Sequence, residues 1–335
     1  MARRELGPAA LQVARAVEDC LATLTASRVV LGVSGGADSM ALAAGTAWVL
    51  RRFERAGVDH ELQVQAVVVD HGLQAGSDEV AATVAGRLRG LGLEAGVVAV
   101  EVPSAGGRGP EAAARDARHA ALLAAAGADG VVLLGHTLDD QAETVLLGLG
   151  RGSGTRSLAG MKPSTGALRR PLLGVRRAIT REACRQWALP VWDDPHNAEA
   201  RFTRVRVRSR VLPSLEAELG PGVAEALART AALASTDADA LDEWAARELT
   251  RELARRPSRP TDDGALACTT LQALPAAIAT RMVRAWLIGA GVDQPTAAHV
   301  AAVTGLVENW HGQGAVHLPG AVVERHDGLL RVTPR

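Results

Sequence analysis

Residues 28 to 41 read RVVLGVSGGADSMA. Val29 to Val33 is a short apolar, β-branched run, Ser34-Gly35-Gly36 is a turn, and a helix opens near Asp38 and Ser39. Paired glycines let the backbone take φ > 0 and let a phosphate approach the amides with no Cβ in the way. The order strand, glycine turn, helix therefore predicts a site for a phosphate chain at a helix N-terminus. A Ser-Gly-Gly turn also serves as a plain helix cap, but the hydrophobic strand ahead of it favours the nucleotide. Two common fingerprints are excluded: the turn has no Gly-Lys-Ser/Thr ending, and no G-x-G-x-x-G stands ahead of the helix.

Working outward, apolar runs recur at Val64 to Val69, Val97 to Val102 and Val131 to Leu134, separated by helix-length stretches and preceded by a lead-in helix over 9 to 26. Near-continuous apolar strands alternating with helices predict an α/β fold with a parallel sheet covered by helices on both faces. Ligands of such sheets sit at the carboxyl ends of the strands. Three runs deliver polar residues there: Ser34, then Asp70-His71-Gly72, then Gly135-His136.

The last of these leads into HTLDDQAETVLLGLGRGSGTRSLAGM. If Leu138 to Leu149 is helical, His136, Asp140 and Glu143 share one face near its start, with Val145, Leu146 and Leu149 packing inward. Two carboxylates and an imidazole on one face predict a pocket for an ammonium or Mg²⁺. Acids in a first helical turn also simply complement the helix dipole, at about 0.3 to 1 kcal/mol each. Upstream, Pro110 opens a helix to Ala126 that carries Glu111, Arg115 and Arg118 on one face. Downstream, Arg151 to Gly154 is a basic loop open to phosphate, substrate or solvent.

Composition bounds the partners. Lys+Arg and Asp+Glu are 37 each, so no whole-protein field attracts a polyanion. Locally the balance breaks: Lys162 to Arg210 holds twelve basic and four acidic residues, a net +8, and residues 201 to 210 alone carry five arginines. A polyanion would dock there. Aromatics are only 2% and tyrosine is absent, so the core must be Ala, Val and Leu and base stacking has little to work with. Cys20, Cys184 and Cys268 are far apart, against a disulfide framework or a cysteine metal site and in keeping with a reducing cytosol. No apolar stretch approaches bilayer length, which predicts a cytoplasmic protein with no membrane partner.

At 335 residues the chain suits more than one domain. The expected division is 1–212, a helical linker over 213–260 with a Pro- and Gly-marked break at 255 to 264, and a small α+β domain over 261–335. That last part is expected to hold helices near 275 to 290 and 295 to 309, strands near 314 to 318, 321 to 325 and 329 to 333, and a hairpin turn at His326-Asp327-Gly328. Residues 222 to 256 predict one or two long helices.

SGGADS is the pattern of the ATP pyrophosphatase loop. Followed in order by DHGLQ (70 to 74), EAAARDARH (111 to 119), GHTLDDQAET (135 to 144), RGSGTRSLAGM (151 to 161), RPLL (170 to 173) and WDDPHNAEARFTRVRVR (192 to 208), it closely resembles the tRNA(Ile)-lysidine synthetases over roughly residues 25 to 215. The chain departs from the family pattern at Gln74, Thr137, His196 and Val205.

The resemblance implies an adenine nucleotide α-hydrolase-like catalytic domain and a C-terminal domain that contacts tRNA. It also implies a reaction. ATP adenylates the C2 oxygen of the wobble cytidine in the CAU-anticodon isoleucine tRNA; the ε-amine of free L-lysine then attacks C2 and AMP leaves, giving lysidine. The attacking amine must be neutral, whereas free lysine is mostly protonated near neutrality. Asp140 or Glu143 is expected to take that proton while the other holds the α-amine, with His136 beside them. Ser34, Gly35, Gly36, Ala37, Asp38 and Ser39 are expected to hold ATP, and Asp38 to ligate Mg²⁺. Arg115 and Arg118 are expected to steady the α-phosphate or the adenylate, and Arg151, Arg201, Arg204, Arg206 and Arg208 to meet tRNA. Two rivals are a tRNA thiolase of the same loop family, which would need placed cysteines, and a non-catalytic ATP-binding sensor, which has no use for the acidic face. The oligomeric state, a homodimer included, is left open.

Overall fold

The computed structural model describes residues 6–58, 61–72, 76–101, 110–152, 154–192, 199, 201–254 and 264–334; of 110–112 only the backbone is described. Gln74, Asp193, Asp194, His196, Asn197, the Glu111 side chain and the predicted break at 255 to 263 lie outside the described residues. By contacts the chain divides into two compact units, one of 1–152 and 160–232, the other of 153–159 and 233–335.

The first unit opens with α1 (Pro8–Ala22), β1 (Arg28–Val33), α2 (Ala37–Ala56), β2 (Gln63–Asp70), α3 (Ser77–Gly90), β3 (Glu94–Ala99), α4 (Pro110–Ala126), β4 (Val131–Leu134) and α5 (Leu138–Gly150). A single helical turn, α6 (Thr155–Leu158), belongs to the second unit. The chain then returns with β5 (Ser164–Thr165), β6 (Leu168–Arg169), a 3₁₀ turn at Pro171–Gly174 and α7 (Arg177–Gln186). Farther along come α8 (Thr203–Arg206), a π-helical turn at Val207–Val211 and α9 (Leu212–Leu219).

The sheet order is β3-β2-β1-β4-β6-β5, parallel throughout except for the last pair. β1 lies in the middle, with Val29 facing Val64 on one side and Val131 on the other. Strand alternation divides the core: Val29, Leu31 and Val33 pack with α1, α2, α3 and α7, while Val30, Val67, Val132 and Leu134 pack under Leu122 and Ala126 of α4. Alanines of α2 at full burial make this close packing possible, with Trp48, Phe53 and Trp187 packed against its margin. The predicted parallel α/β sheet with helices on both faces is thus observed. The third strand runs from Glu94 rather than Val97, because β3 is an edge strand whose side chains are half-buried or exposed, and its apolar run does not mark its start.

Successive strands move from β1 to β2 to β3 on one side, and the chain then crosses to β4 on the other. The crevice between the carboxyl ends of β1 and β4 is therefore the place where the topology leaves room for a ligand. Gly135 closes its floor. A Cβ there would stand 2.9 Å from the carbonyl oxygen of Asp38 and 3.0 Å from the amide nitrogen of Ser39, both backbone atoms that cannot swing away. Gly135→Ala is expected to lower unfolding stability by about 1–3 kcal/mol, the usual range for overpacking; a urea midpoint equal to that of the parent would refute the contact.

The second unit holds the rest of α10 (Val223–Ala254), then β7 (Leu266–Ala267), α11 (Cys268–Ala273), α12 (Ala276–Gly289), α13 (Ala297–Glu308), β8 (Val316–Leu318), β9 (Ala321–His326) and β10 (Leu329–Pro334). α10 is one continuous helix. The sheet, ordered β7-β10-β9-β8, is antiparallel, and its core gathers Leu266, Ile278, Met282, Leu287, Val303, Leu306, Val323 and Leu330. β9 and β10 meet at Asp327-Gly328, both at positive φ (51° and 74°), a two-residue hairpin turn. Among the described residues no helix is long and apolar enough to cross a membrane.

Candidate active site

The glycine turn after β1 is held by its own serines. Ser39 Oγ accepts the Ser34 amide at 3.1 Å and donates to the Gly36 carbonyl at 3.0 Å. Its two glycines do different things. Gly35 takes φ 86°, and a Cβ there would meet Val84 at 2.7 Å. Gly36, the N-cap of α2, has an ordinary φ of −70° and could carry a Cβ without collision. Only Gly35 therefore needs the left-handed region; the missing Cβ at Gly36 leaves open space beside the first amides of α2. Trp192 fastens the turn from outside, its amide donating to Gly35 O at 2.9 Å.

Asp38 stands in the first turn of α2. It accepts from the Thr180 hydroxyl and, at 3.2 Å, from Nε of Arg177. Burial pushes its carboxyl above the usual range, with Arg177 and Thr180 opposing.

On α5, Thr137 is the N-cap, and Asp140 Oδ2 accepts both its amide (2.8 Å) and its hydroxyl (2.9 Å). His136 accordingly stands outside the helix instead of on its face. Asp139 points elsewhere and caps α7, accepting the Arg177 amide at 2.7 Å and Nε of Arg176 at 3.2 Å. Arg177 then reaches across. Its Nη2 donates to Asp140 at 2.7 Å, its Nη1 to Glu143 at 3.0 Å and its Nε to Asp38, so one guanidinium touches all three carboxylates. Burial disfavours charge on both Asp140 and Arg177, but their pairing outweighs it, lowering the acid's pKa and raising the base's.

Glu143 is 0% exposed. Besides Arg177 it accepts from Arg204 Nε at 3.0 Å and from Arg208 Nε at 2.7 Å and Nη2 at 3.2 Å. Of the arginines expected to meet tRNA, Arg204 and Arg208 therefore point at the acidic cluster, while Arg151 and Arg201 are exposed and Arg206 bonds back to Arg201 O and Thr203. Gln141 links α5 to the segment after α6, bonding both the amide and carbonyl of Met161 at 2.7 and 2.9 Å.

Arg115 lies close enough to two histidines and to Arg170 to act on their charge. His119 Nε2, His136 Nδ1 and Arg170 Nε are buried with no hydrogen-bond partner among the described residues, and each feels the charge of Arg115. Burial pushes the imidazole of His136 down to about 3 and that of His119 down to about 4, with neighbouring arginines adding to the effect. Both imidazoles are neutral at pH 7. Unfolded histidine titrates near 6.5, so below that pH the unfolded chain takes up protons that the folded one refuses, and stability falls as pH falls from about 6.5 toward 4. His136 alone accounts for about 2 kcal/mol lost between pH 7 and pH 5. His136→Asn is expected to flatten this part of a urea-midpoint-against-pH curve; an unchanged slope would remove the assignment.

Sequence reasoning missed Arg177 and Thr180, counting the first only as part of a basic segment. One signal was present. An arginine at the first position of a helix opposes the dipole, so Arg177 needed carboxylates from elsewhere in the chain. The cysteines carry no such chemistry: Cys184 is buried, donates to Ala37 O at 3.3 Å and has its thiol pushed up to about 12 by burial.

Known proteins resemble this chain in both its N-terminal and its C-terminal part. Residues 9–215 match the PP-loop domain family and residues 266–331 the TilS substrate binding domain. The tRNA(Ile)-lysidine synthase of Streptomyces coelicolor is 52% identical over 313 residues, covering 91% of this chain and 84% of that protein. That of Cutibacterium acnes is 47% identical over 335 residues, covering 100% of both. Among solved structures, the U34-tRNA thiolase NcsA from Methanococcus maripaludis superposes with a TM-score of 0.52 at 18% identity, covering 67% of this chain and 78% of that one, a likeness of fold alone. A nucleotide loop, an acidic helix at the sheet's switch point and near-full-length similarity lead to one conclusion: the chain belongs to the tRNA(Ile)-lysidine synthase family.

Proposed function

We infer that the protein ligates free L-lysine to C2 of the wobble cytidine of the CAU-anticodon isoleucine tRNA, consuming ATP and releasing pyrophosphate and AMP. The observation that carries the reading is the span of Arg177. Its guanidinium reaches the acid of the glycine turn, Asp38, and both acids of α5, so the nucleotide end and the ammonium end of the site lie within one side chain's width. Such closeness suits a reaction in which an activated base must meet an amine. Holding the two together contributes on the order of 7 to 11 kcal/mol toward the barrier.

In the first step the cytosine C2 oxygen attacks the α-phosphorus of ATP, forming a C–O–P linkage and expelling pyrophosphate. The amides around Gly36 and the N-terminus of α2 receive phosphate oxygens, and Arg115 and Arg118 balance charge at the α-phosphate. Helix-end effects of about 1 kcal/mol do not neutralise a triphosphate, and a single carboxylate plus phosphates is a usual Mg²⁺ environment; Asp38 would hold the ion by exchanging its Thr180 or Arg177 partner for it. When bound, Mg²⁺ would screen the phosphate charge.

In the second step the lysine ε-amine, having given up a proton, attacks C2; the C–N bond forms and the C–O bond breaks, with AMP as the leaving group. Asp140 is the better placed of the two acids to take the proton, because Glu143 is wholly buried among three guanidiniums and acts as the counter-charge that organises them. Neutral His136, beside Asp140, keeps the pocket free of a competing cation.

The test supplies purified protein with ATP, labelled lysine and the tRNA, leaving out each in turn. Label is expected in the tRNA only when ATP and that tRNA are both present, with AMP and pyrophosphate formed in equal amounts. ATP binding with no label transferred would overturn the reading in favour of an ATP-binding sensor.

A further inference from the structure

Arg204 and Arg208 were expected to face a polyanion and are instead engaged with Glu143. Arg204 also donates to Thr144 Oγ1 at 2.7 Å, and Arg208 Nη2 lies 3.5 Å from Asp140. Counting formal charge among the described residues, Asp38, Asp140 and Glu143 are matched by the three guanidiniums that pair with them, Arg177, Arg204 and Arg208, so this set of ion pairs is neutral as it stands. A neutral cluster offers an incoming ammonium little attraction. The two arginines come from a basic stretch, with Arg201 and Arg210 exposed beside them. Arg208 sits inside the π-helical turn Val207–Val211. A π turn holds one residue more than an α turn, and relaxing it to α register turns the residues on one side by about 100° around the axis. A change of register there would aim Arg208 differently.

We propose that the tRNA backbone and Glu143 share Arg204 and Arg208, so that phosphates drawing these guanidiniums off Glu143 leave the acidic pocket with the negative charge that binds the lysine ammonium. Binding of tRNA and of lysine is then mutually strengthening, and by linkage each raises the other's affinity by the same factor. In this scheme Arg204 and Arg208 are positioning residues: they act on lysine through Glu143. The inference rests on the function proposed above.

Equilibrium dialysis of labelled lysine tests it, using the full chain with α,β-methylene ATP so that no turnover occurs. Adding CAU-anticodon isoleucine tRNA is expected to tighten lysine binding about tenfold or more, and lysine to tighten tRNA binding by the same factor. In Arg204→Gln with Arg208→Gln the effect of tRNA on lysine is expected to vanish, while Arg204→Lys with Arg208→Lys, which keeps both charges, retains most of it. Equal lysine affinity with and without tRNA in the parent protein overturns the proposal, and that measurement needs no variant to fold. A parallel incubation with ATP separates the two readings. Label entering tRNA without any change in lysine affinity removes the coupling and keeps the ligase; no label under any condition removes both.

Discussion

Glu143→Gln is expected to reduce lysine transfer about 100-fold or more and to lower unfolding stability by about 3 kcal/mol. The carboxylate is fully buried and holds three guanidiniums at 2.7 to 3.0 Å, so the isosteric amide keeps the shape and removes the counter-charge. Breaking a buried pair in this way costs about 3–5 kcal/mol, because the partner charges stay behind. Stability is read from urea unfolding and activity from labelled lysine entering tRNA. The two losses have different origins and can be separated. Adding Arg204→Gln restores the formal charge balance and is expected to recover part of the stability, while transfer stays low because the pocket still lacks its second acid. A Glu143→Gln protein with parental stability and parental transfer would mean that the three arginines are held by something else.

Asp140→Ala is expected to lower lysine-dependent AMP release about 10²–10⁴-fold, the usual worth of a positioned base, and to leave tRNA-dependent pyrophosphate release in place. Asp38→Ala is expected to show the reverse priority, losing pyrophosphate release first. The contrast follows from position: Asp38 opens α2 at the glycine turn, whereas Asp140 is on α5, tied to Thr137 and Arg177. Because alanine also strips the cap from α5, Asp140→Asn serves as the control; it keeps an acceptor for the Thr137 amide and loses the charge together with the acceptor that faces Arg177. Lysine-dependent AMP release that survives both substitutions would take Asp140 out of the chemistry.

Much of the fold was legible along the chain. The apolar runs around Val29, Val64 and Val131 each mark a buried strand, since strands covered on both faces show near-continuous hydrophobicity. The edge strand β3 was legible only in part, the run from Val97 overlapping the end of the observed Glu94–Ala99, and the two-residue strands β5 and β6 were not, because very short strands have no such run to show. In the C-terminal part, the three strands and the Asp327-Gly328 turn follow from alternation and turn chemistry, while β7 and α11 are too short to announce themselves. The acids of α5 could be placed by helical spacing. His136 could not, since whether a residue precedes or follows an N-cap depends on which side chain bonds the first amides.

The sequence by itself determined the parallel α/β class, the glycine turn at a strand end, the family and the placing of Asp140 and Glu143 on one helix. These properties are carried by periods of two and 3.6 residues and by the order of short motifs, all of which are local to the chain. Only the tertiary structure decided that Arg177 would join Asp38 to Asp140 and Glu143, and that Arg204 and Arg208 would turn inward. Arg177 is 139 positions from Asp38 and 34 from Glu143, and Arg208 is 65 from Glu143. No local pattern specifies such a partner: an arginine in a basic stretch reads the same whether it faces water, a phosphate or a carboxylate. What selects among them is burial, since a carboxylate with no access to water must gather cations from wherever the packed sheet and helices bring them.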